Sequence, residues 1–238
     1  MRINKYLAEC GVASRRAADE MIKEGRVSVN GKVMTELGYD VVVENDTVKV
    51  DGKKIRPVNR YTYVMFNKPK GCICSAADEL GRKTVYDYVR SNKKLDCVGR
   101  LDYDSEGLLL LTNDGELLHR LTHPAYEIPK TYVVKIEGTL TDAERQHWAD
   151  GLELADGTTT APAQVTVLAQ EGNLTRLEIV LREGKNREIR RMGEALGKTV
   201  TFIKRVAVGD LKLGGLGRGA TRYLTGKEVA YLKSLVKD

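Results

Sequence analysis

The stretch of the 238-residue chain with the most pointed chemistry is GRLDYDSEGLLLLTNDGEL at 99–117. It sets Arg100 and Asp102 in a turn that runs straight into an apolar segment. A carboxylate beside a hydrophobic wall is costly to ionise unless a cation pairs with it, so this pattern calls for a partner. EGKNREIRRM at 183–192 can supply one. Read as a helix, it projects Arg187, Arg190 and Arg191 at neighbouring angles, and one of them can turn inward. Taken alone, Asp102 is equally compatible with an ordinary turn residue. A second set of cations lies near the N-terminus. Arg15 and Arg16 begin a helix that also carries Lys23, Arg26 and Lys32 flank a hairpin turn, and Arg2 and Lys5 occupy the polar side of the first helix. Arginines at a helix N-terminus oppose the macrodipole. A phosphate placed there would engage both the guanidinium groups and the free amides. A solvated helix face explains the same charges equally well, because residues 1–58 hold 11 basic and 9 acidic side chains, a net of only +2.

Other chemistries fail on spacing. GEALGKT at 193–199 has three residues between its glycines where a phosphate loop needs four, and it reads as a helix end. GGLGRG at 214–219 has no clear helix after it, as a dinucleotide site requires. DYDSEG at 102–107 starts like a calcium loop, but Asn113 stands where the bidentate glutamate belongs. His119 and His123 are four apart without the glutamate of HExxH, and Pro124 closes their helix. Cys72 and Cys74 form CxC with no second pair, which favours buried thiols. The four cysteines are scattered and the opening MRINKYLAECG has no apolar leader segment, so the expectation is a cytoplasmic protein with reduced thiols and no membrane span. The net charge of +6 fits an anionic partner, and 6% aromatic content argues against a surface built of stacked rings.

Two sets of elements must position these residues. Over 1–58, Ile3, Tyr6, Leu7 and Cys10 mark one short helix. Ser14 caps a second, whose apolar stripe is Ala17, Ala18, Met21 and Ile22, and Gly25 stops it. VSVNGKV reads as a hairpin turning at Asn30-Gly31. Val41–Val43 and Thr47–Val50 look like further strands, and KKIRPVNR is a polar linker. Beyond it, strands are expected at Tyr61–Phe66, Gly107–Thr112, Thr131–Ile136, Val165–Leu168, Leu174–Leu181 and Val200–Val206. Helices are expected at Thr84–Arg90, Glu116–Leu121 and Arg187–Leu196, with capping boxes at Thr141/Glu144 and Thr225/Glu228. Strands and helices do not alternate strictly, so the fold class is α+β with a mixed, mainly antiparallel sheet flanked by helices.

MRINKYLAECGVASRRAADEMIKEGRVSVNGK resembles the S4 RNA-binding domain. GRLDYDSEGLLLLTNDG resembles the catalytic motif of pseudouridine synthases of the RsuA/RluB branch. NKPKG (67–71), KTYVVKIEG (130–138), EGKNREIRRMGEALG (183–197) and the tail from Arg205 resemble that family's other segments, in the family's order. Two departures are Glu188, where many relatives carry Gln, and Tyr103 after the aspartate. The resemblance implies an S4 domain at 1–58 and a pseudouridine synthase domain at 59–238. It implies isomerisation of uridine to pseudouridine in ribosomal RNA, with RluB-like large-subunit (23S) specificity. A small-subunit (16S) specificity and a non-catalytic ribosome-assembly factor are the alternatives. The reaction breaks C1′–N1 and joins C1′ to C5 without net redox change or hydrolysis, so it needs no cofactor and no metal. Carried over, Asp102 is the catalytic carboxylate, and Arg190 is its paired cation, with Lys185 and Arg187 as substitutes. Tyr132 stacks on the uracil, and Arg100 fills the gap left by the flipped nucleotide. Arg2, Lys5, Arg15, Arg16, Lys23, Arg26, Asn30, Lys32, Lys185 and Arg187 are the candidate RNA contacts. The expected partner is rRNA or a ribosomal-subunit assembly intermediate, met by a monomer.

Overall fold

A computed structural model describes residues 1–57, 61–75 and 78–236. The chain divides into two compact units. One is Met1–Thr62 with Ser91–Leu95 and Asn113–Gly115; the other is Tyr63–Arg90, Asp96–Thr112 and Glu116–Asp238. The boundary expected at 58–59 lies outside the described residues.

In the N-terminal unit, helices α1 (Ile3–Glu9) and α2 (Arg15–Lys23) precede a sheet of β1 (Val27–Val29), β2 (Lys32–Met34), β3 (Val48–Val50) and β4 (Lys53–Lys54), ordered β2-β1-β3-β4. Ser14 Oγ accepts the Ala17 N–H at 3.3 Å, the cap its sequence position requires. Asn30 and Gly31 both take positive φ, 51° and 85°, as a two-residue hairpin turn demands. Ile3, Tyr6, Leu7, Ala18, Ile22, Val27, Val29 and Val48 form the core. Val41 joins that core, but its neighbours do not form the expected strand. The chain there curls around Asp46, whose carboxylate accepts the Val42 N–H at 2.9 Å.

The second unit is built on a sheet ordered β13-β5-β7-β11-β8-β10-β9. Its strands are β5 (Tyr63–Lys68), β6 (Asp96–Val98), β7 (Glu106–Thr112), β8 (Lys130–Glu137), β9 (Gln164–Glu171), β10 (Leu174–Leu181), β11 (Val200–Val208), β12 (Leu211–Lys212) and β13 (Thr221–Tyr223). Every pairing is antiparallel except β7 with β11. The Leu108–Leu111 run of β7 is apolar because both its faces are covered: Leu108 and Leu110 pack with Leu117 and Leu121 of α3 (Gly115–Thr122) and Leu232 of α6 (Gly226–Ser234), while Leu109 and Leu111 are fully buried on the other side. Helices α4 (Asp142–Asp150) and α6 carry the expected capping boxes. α5 (Glu188–Ala195) lies close against the sheet at Gly193, where a Cβ would stand 2.6 Å from Val200 Cγ2.

The helix expected over Thr84–Arg90 shrinks to a 3-10 turn, Val85–Asp87. Asp87 closes its capping box within that turn by accepting the Thr84 N–H at 2.6 Å. The helix expected from Arg187 begins one residue later, because Arg187 itself is left-handed at φ 50°. Among the described residues no helix is long and apolar enough to cross a membrane.

Candidate active site

β7 forks the sheet. β5 runs along the whole of one edge, from Tyr63 opposite Thr112 to Lys68 opposite Gly107. The other edge is shared: β6 pairs with its C-terminal half and β11 with Glu106 and Gly107. The loop 99–105, which carries Arg100 and Asp102, emerges where β6 gives way to β11. The approach of β11 needs a glycine, since a Cβ on Gly107 (φ +107°) would lie 2.2 Å from the Arg205 carbonyl oxygen. The GLLLL run is therefore half of the site's framework as well as its hydrophobic wall.

The loop is held from beneath by Lys68, which is 0% exposed. Its ammonium donates to the carbonyls of Pro69 (3.2 Å), Asp102 (2.8 Å) and Ser105 (2.9 Å). Burial pushes the Lys68 pKa down, while Cys74, Cys72, Asp102 and Asp104 push it back up. Gly71 N–H donates to Tyr103 O at 2.8 Å, and Leu101 N–H donates to Cys74 Sγ at 3.4 Å. Asp102 is thus fixed through its backbone on both sides. Its side chain is half-buried and lines a cavity of about 410 Å³ with Arg100, Lys130, Tyr132, Arg182, Glu188 and Arg205, among others. Tyr132 on β8 sits directly across from Arg205 on β11, so the two side chains share one face of the sheet. Arg205 is buried and donates Nε–H to Leu108 O at 2.7 Å.

The expected pairing of Arg190 with Asp102 is corrected. Arg190 donates to Val200 O at 2.9 Å and forms its ion pair with Asp104, at 2.8 Å. Arg187, the lesser candidate, also approaches Asp104, at 3.8 Å, and Lys185 is spent on Glu183 (2.7 Å) and Thr159 O (2.8 Å). A guanidinium only 11% exposed must take the carboxylate it can reach from α5, and Asp104 is that carboxylate. Arg190 therefore ties α5 to the loop 99–105, two residues beyond Asp102. Among the described residues no cation stands within ion-pair distance of the Asp102 carboxylate. Lys68 sits beneath the loop, and Arg100, Lys130, Arg182 and Arg205 line the same cavity as Asp102.

Glu188 is 4% exposed, and burial, then the adjacent Glu183, raises its pKa to about 8. Near neutrality it carries a proton and hydrogen-bonds to Glu183, whose carboxyl is held low by that bond and by Lys185 despite its own burial. A protonated glutamate has the hydrogen-bonding capacity of a glutamine side chain at this position, one oxygen accepting and one group donating. Lys68 and Arg205 are the functional groups that sequence reasoning missed. The available signals were a lysine ending a largely apolar strand just before Pro69, and an arginine at an inward position of the strand-like run Val200–Val208.

The N-terminal cations fall into two groups. Arg15, Arg16 and Lys32 are exposed, and among the described residues none has an ion-pair partner. The others are engaged within the unit. Arg2 donates to Gly38 O and lies 3.9 Å from Asp40, Lys5 lies 3.6 Å from Glu9, and Lys23 pairs with Glu20 at 2.8 Å. Arg26 chelates Asp51 at 3.0 and 2.7 Å. Asn30 uses both ends of its amide internally, donating to Asp46 at 2.8 Å and accepting the Thr47 N–H at 2.9 Å. Its place in the motif is therefore explained by the hairpin. The histidine pair is likewise local: the ring centroids of His119 and His123 lie 5.1 Å apart at a tilt of 40°, and His123 Nδ1 accepts the Ala125 N–H.

A half-buried aspartate on a sheet-fork loop, a tyrosine beside it in one cavity, and a separate unit presenting exposed arginines describe an enzyme that works on RNA. Residues 62–195 match the RNA pseudouridylate synthase family and residues 1–48 match the S4 domain. The chain belongs to the RNA pseudouridylate synthases and carries an S4 domain ahead of the synthase region. It is 44% identical to ribosomal large subunit pseudouridine synthase B of Bacillus subtilis, over 98% of this chain and 96% of that one. It is 37% identical to the protein of the same name from Vibrio cholerae, over 99% and 75%. A crystal structure of a pseudouridylate synthase superposes with a TM-score of 0.72 at 30% identity, over 98% of this chain and 99% of that one.

Proposed function

We propose that this protein converts uridine to pseudouridine in large-subunit (23S) ribosomal RNA, with Asp102 as the catalytic carboxylate. The observation that carries the catalytic assignment is the anchoring of the Asp102 loop on Lys68, which aims one carboxylate into a cavity shared with Tyr132. The choice of large-subunit RNA is supported by the names of the relatives from Bacillus subtilis and Vibrio cholerae. Asp102 acts on the ribose or base as C1′–N1 breaks, and the freed uracil turns within the cavity before C5 joins C1′. Tyr132 stacks on the ring from the β8 wall. Arg100, exposed at the mouth, replaces the extruded nucleotide in its stack and offsets a few kcal/mol of unstacking. Arg190 acts indirectly, positioning the loop through Asp104.

The S4 region, 1–58, docks on folded rRNA through Arg15, Arg16 and Lys32, and the region 59–238 carries the chemistry. The protein works in the cytoplasm as a monomer, on rRNA or on a subunit-assembly intermediate. The test is a pseudouridine map of rRNA from cells lacking the protein, complemented with the wild-type or the Asp102→Asn chain. Loss of large-subunit pseudouridine, restored only by the wild-type chain, is the expected result. Loss confined to small-subunit rRNA would overturn the substrate assignment, and restoration by Asp102→Asn would overturn the catalytic one.

A further inference from the structure

Tyr103 follows Asp102 in the loop 99–105 but stands outside the cavity that Asp102 lines, 47% exposed. A single exposed ring needs no explanation by itself. This one is held in place. Its backbone carbonyl accepts the Gly71 N–H at 2.8 Å. Its hydroxyl end runs so close to the same residue that a Cβ on Gly71 would stand 3.8 Å from it. The Arg82 guanidinium lies over the ring, 5.8 Å from its centroid.

Arg82 is itself locked. Its Nε donates to both oxygens of Asp78, at 3.2 and 3.1 Å, and its Nη2 donates to Oδ1 at 2.7 Å. Its backbone N–H adds a fourth bond to that carboxylate, at 2.7 Å. The Asp78 side chain is 6% exposed, whereas that of Arg82 is 44% exposed. The carboxylate is thus tucked in, and the guanidinium stays open to solvent in a fixed position beside an open ring. More cations lie close along the chain. Lys70 adjoins Gly71 and has no ion-pair partner among the described residues; its ammonium lies 5.1 Å from the centroid of the Phe202 ring. Arg100 is exposed three residues before Tyr103. The carboxylates nearest in sequence, Asp78 and Asp104, are taken by Arg82 and Arg190. An exposed aromatic with an ordered arginine on it, in cationic surroundings, is a surface suited to a nucleobase and its phosphate.

We propose that Tyr103 and Arg82 form a stacking platform for the base of the nucleotide adjoining the target uridine, a binding site separate from the cavity that receives the uracil. Asp102 and Tyr103 are consecutive, with Cα atoms about 3.8 Å apart. With Asp102 at the ribose or base of the target, the next base along the strand comes within reach of a ring attached one residue further on. Extrusion of the uridine bares two base faces, one on each neighbour. Arg100 covers one of them, and Tyr103 takes the other. Because the ring and the guanidinium are already fixed, little ordering is lost when the base arrives. Every base has a π-face, so the platform sets the path of the strand without reading its sequence. The place of the stacked base next to the target rests on the Asp102 assignment made above; the platform as an RNA contact does not.

The full-length protein bound to a large-subunit rRNA transcript is cross-linked with ultraviolet light. Peptide mass mapping locates the adduct on the protein, and primer extension locates it on the RNA. RNA affinity and thermal midpoint are measured for the wild type and for Tyr103→Phe, Tyr103→Ala and Arg82→Met. The expected adduct joins Tyr103 to the nucleotide immediately beside the one that becomes pseudouridine. Tyr103→Ala should bind RNA about 5- to 150-fold more weakly, the range of one lost base stack, with an unchanged midpoint. Tyr103→Phe should bind like the wild type, because the stack needs the ring and not the hydroxyl. Arg82→Met should lose about two- to fivefold. Wild-type affinity in Tyr103→Ala overturns the proposal, as does an adduct of Tyr103 with a nucleotide that does not adjoin the modified one. A loss of affinity matched by a lower midpoint also overturns it, since the pair would then only staple two loops together. If adduct and affinities behave as expected while the wild type makes no pseudouridine, the failure lies with the proposed reaction, and the platform stands.

Discussion

The two units handle charge in opposite ways. The helices and sheet of residues 3–50 keep an apolar core and put their cations on the surface, where Arg15, Arg16 and Lys32 stand without ion-pair partners among the described residues. The synthase unit buries ionisable groups: Lys68 against three carbonyls, Arg205 against Leu108 O, Arg190 against Asp104, and Glu188 beside Glu183. Exposed charge suits a partner that arrives with its own phosphates and counterions, and it costs the fold little. Buried charge is useful only when each group is satisfied, and it then fixes geometry to a fraction of an ångström. Gripping RNA and changing it thus make different demands on the same residue types.

The sharpest way to separate the two demands is Asp102→Asn. It removes one charge from the cavity, and turnover should fall by roughly a thousandfold or more, while rRNA affinity and thermal midpoint stay at wild-type values. Steady-state modification assays, filter binding and calorimetry read the three quantities. Next in size is Lys68→Met, which leaves the Asp102 and Ser105 carbonyls buried without their donor. We expect a loss of about 3 kcal/mol and a thermal midpoint lower by roughly 6–12 °C, together with lost activity. An unchanged midpoint would show that the loop does not depend on this ammonium.

Arg15→Glu combined with Arg16→Glu tests the other unit. rRNA binding should weaken by about tenfold or more, and the slope of log K against log salt should fall by roughly 1.4–1.8. Turnover at saturating RNA and thermal stability should hold. The smallest effect expected is on pH dependence. Glu188 holds its proton in the folded state up to about pH 8, whereas the unfolded chain loses it near the ordinary glutamate value of about 4.3. The folded state therefore binds more protons across that window, and this group's contribution to stability declines as pH rises from about 4.3 to 8, then levels off. Glu188→Gln should remove that decline and raise the midpoint above pH 8, with little change at pH 5. Denaturant titrations at the two pH values decide it.

Much of this was legible in the sequence because the signals were local. Ser14, the Asn30-Gly31 turn and the two Thr/Glu capping boxes each act within a few residues, and each was read correctly. The GLLLL run was identified as a strand from its length and flanks. Asp102 stood out because its neighbours were unusual. The Arg190–Asp102 pairing was misread because helical angles do not say which carboxylate of DYD lies within reach, and tertiary placement selected Asp104. Lys68 went unassigned because lysine is almost never fully buried; its burial depends on carbonyls 34 and 37 residues away. Glu188 was visible as a departure from Gln, but its protonation depends on Glu183 and on burial, neither of which spacing reveals.

The fork at β7 has a consequence for the order in which the protein is made. The core of the N-terminal unit draws on residues Ile3 to Val50. The cavity wall closes only when β11 lies beside Gly107 and Arg205 reaches Leu108 O, a contact spanning 97 residues. On a translating ribosome the apolar core of residues 3–50 can therefore be assembled while much of the synthase unit is still unsynthesised. The growing chain acquires its grip on RNA well before its chemistry, and the uridine is safe from it until the sheet has closed.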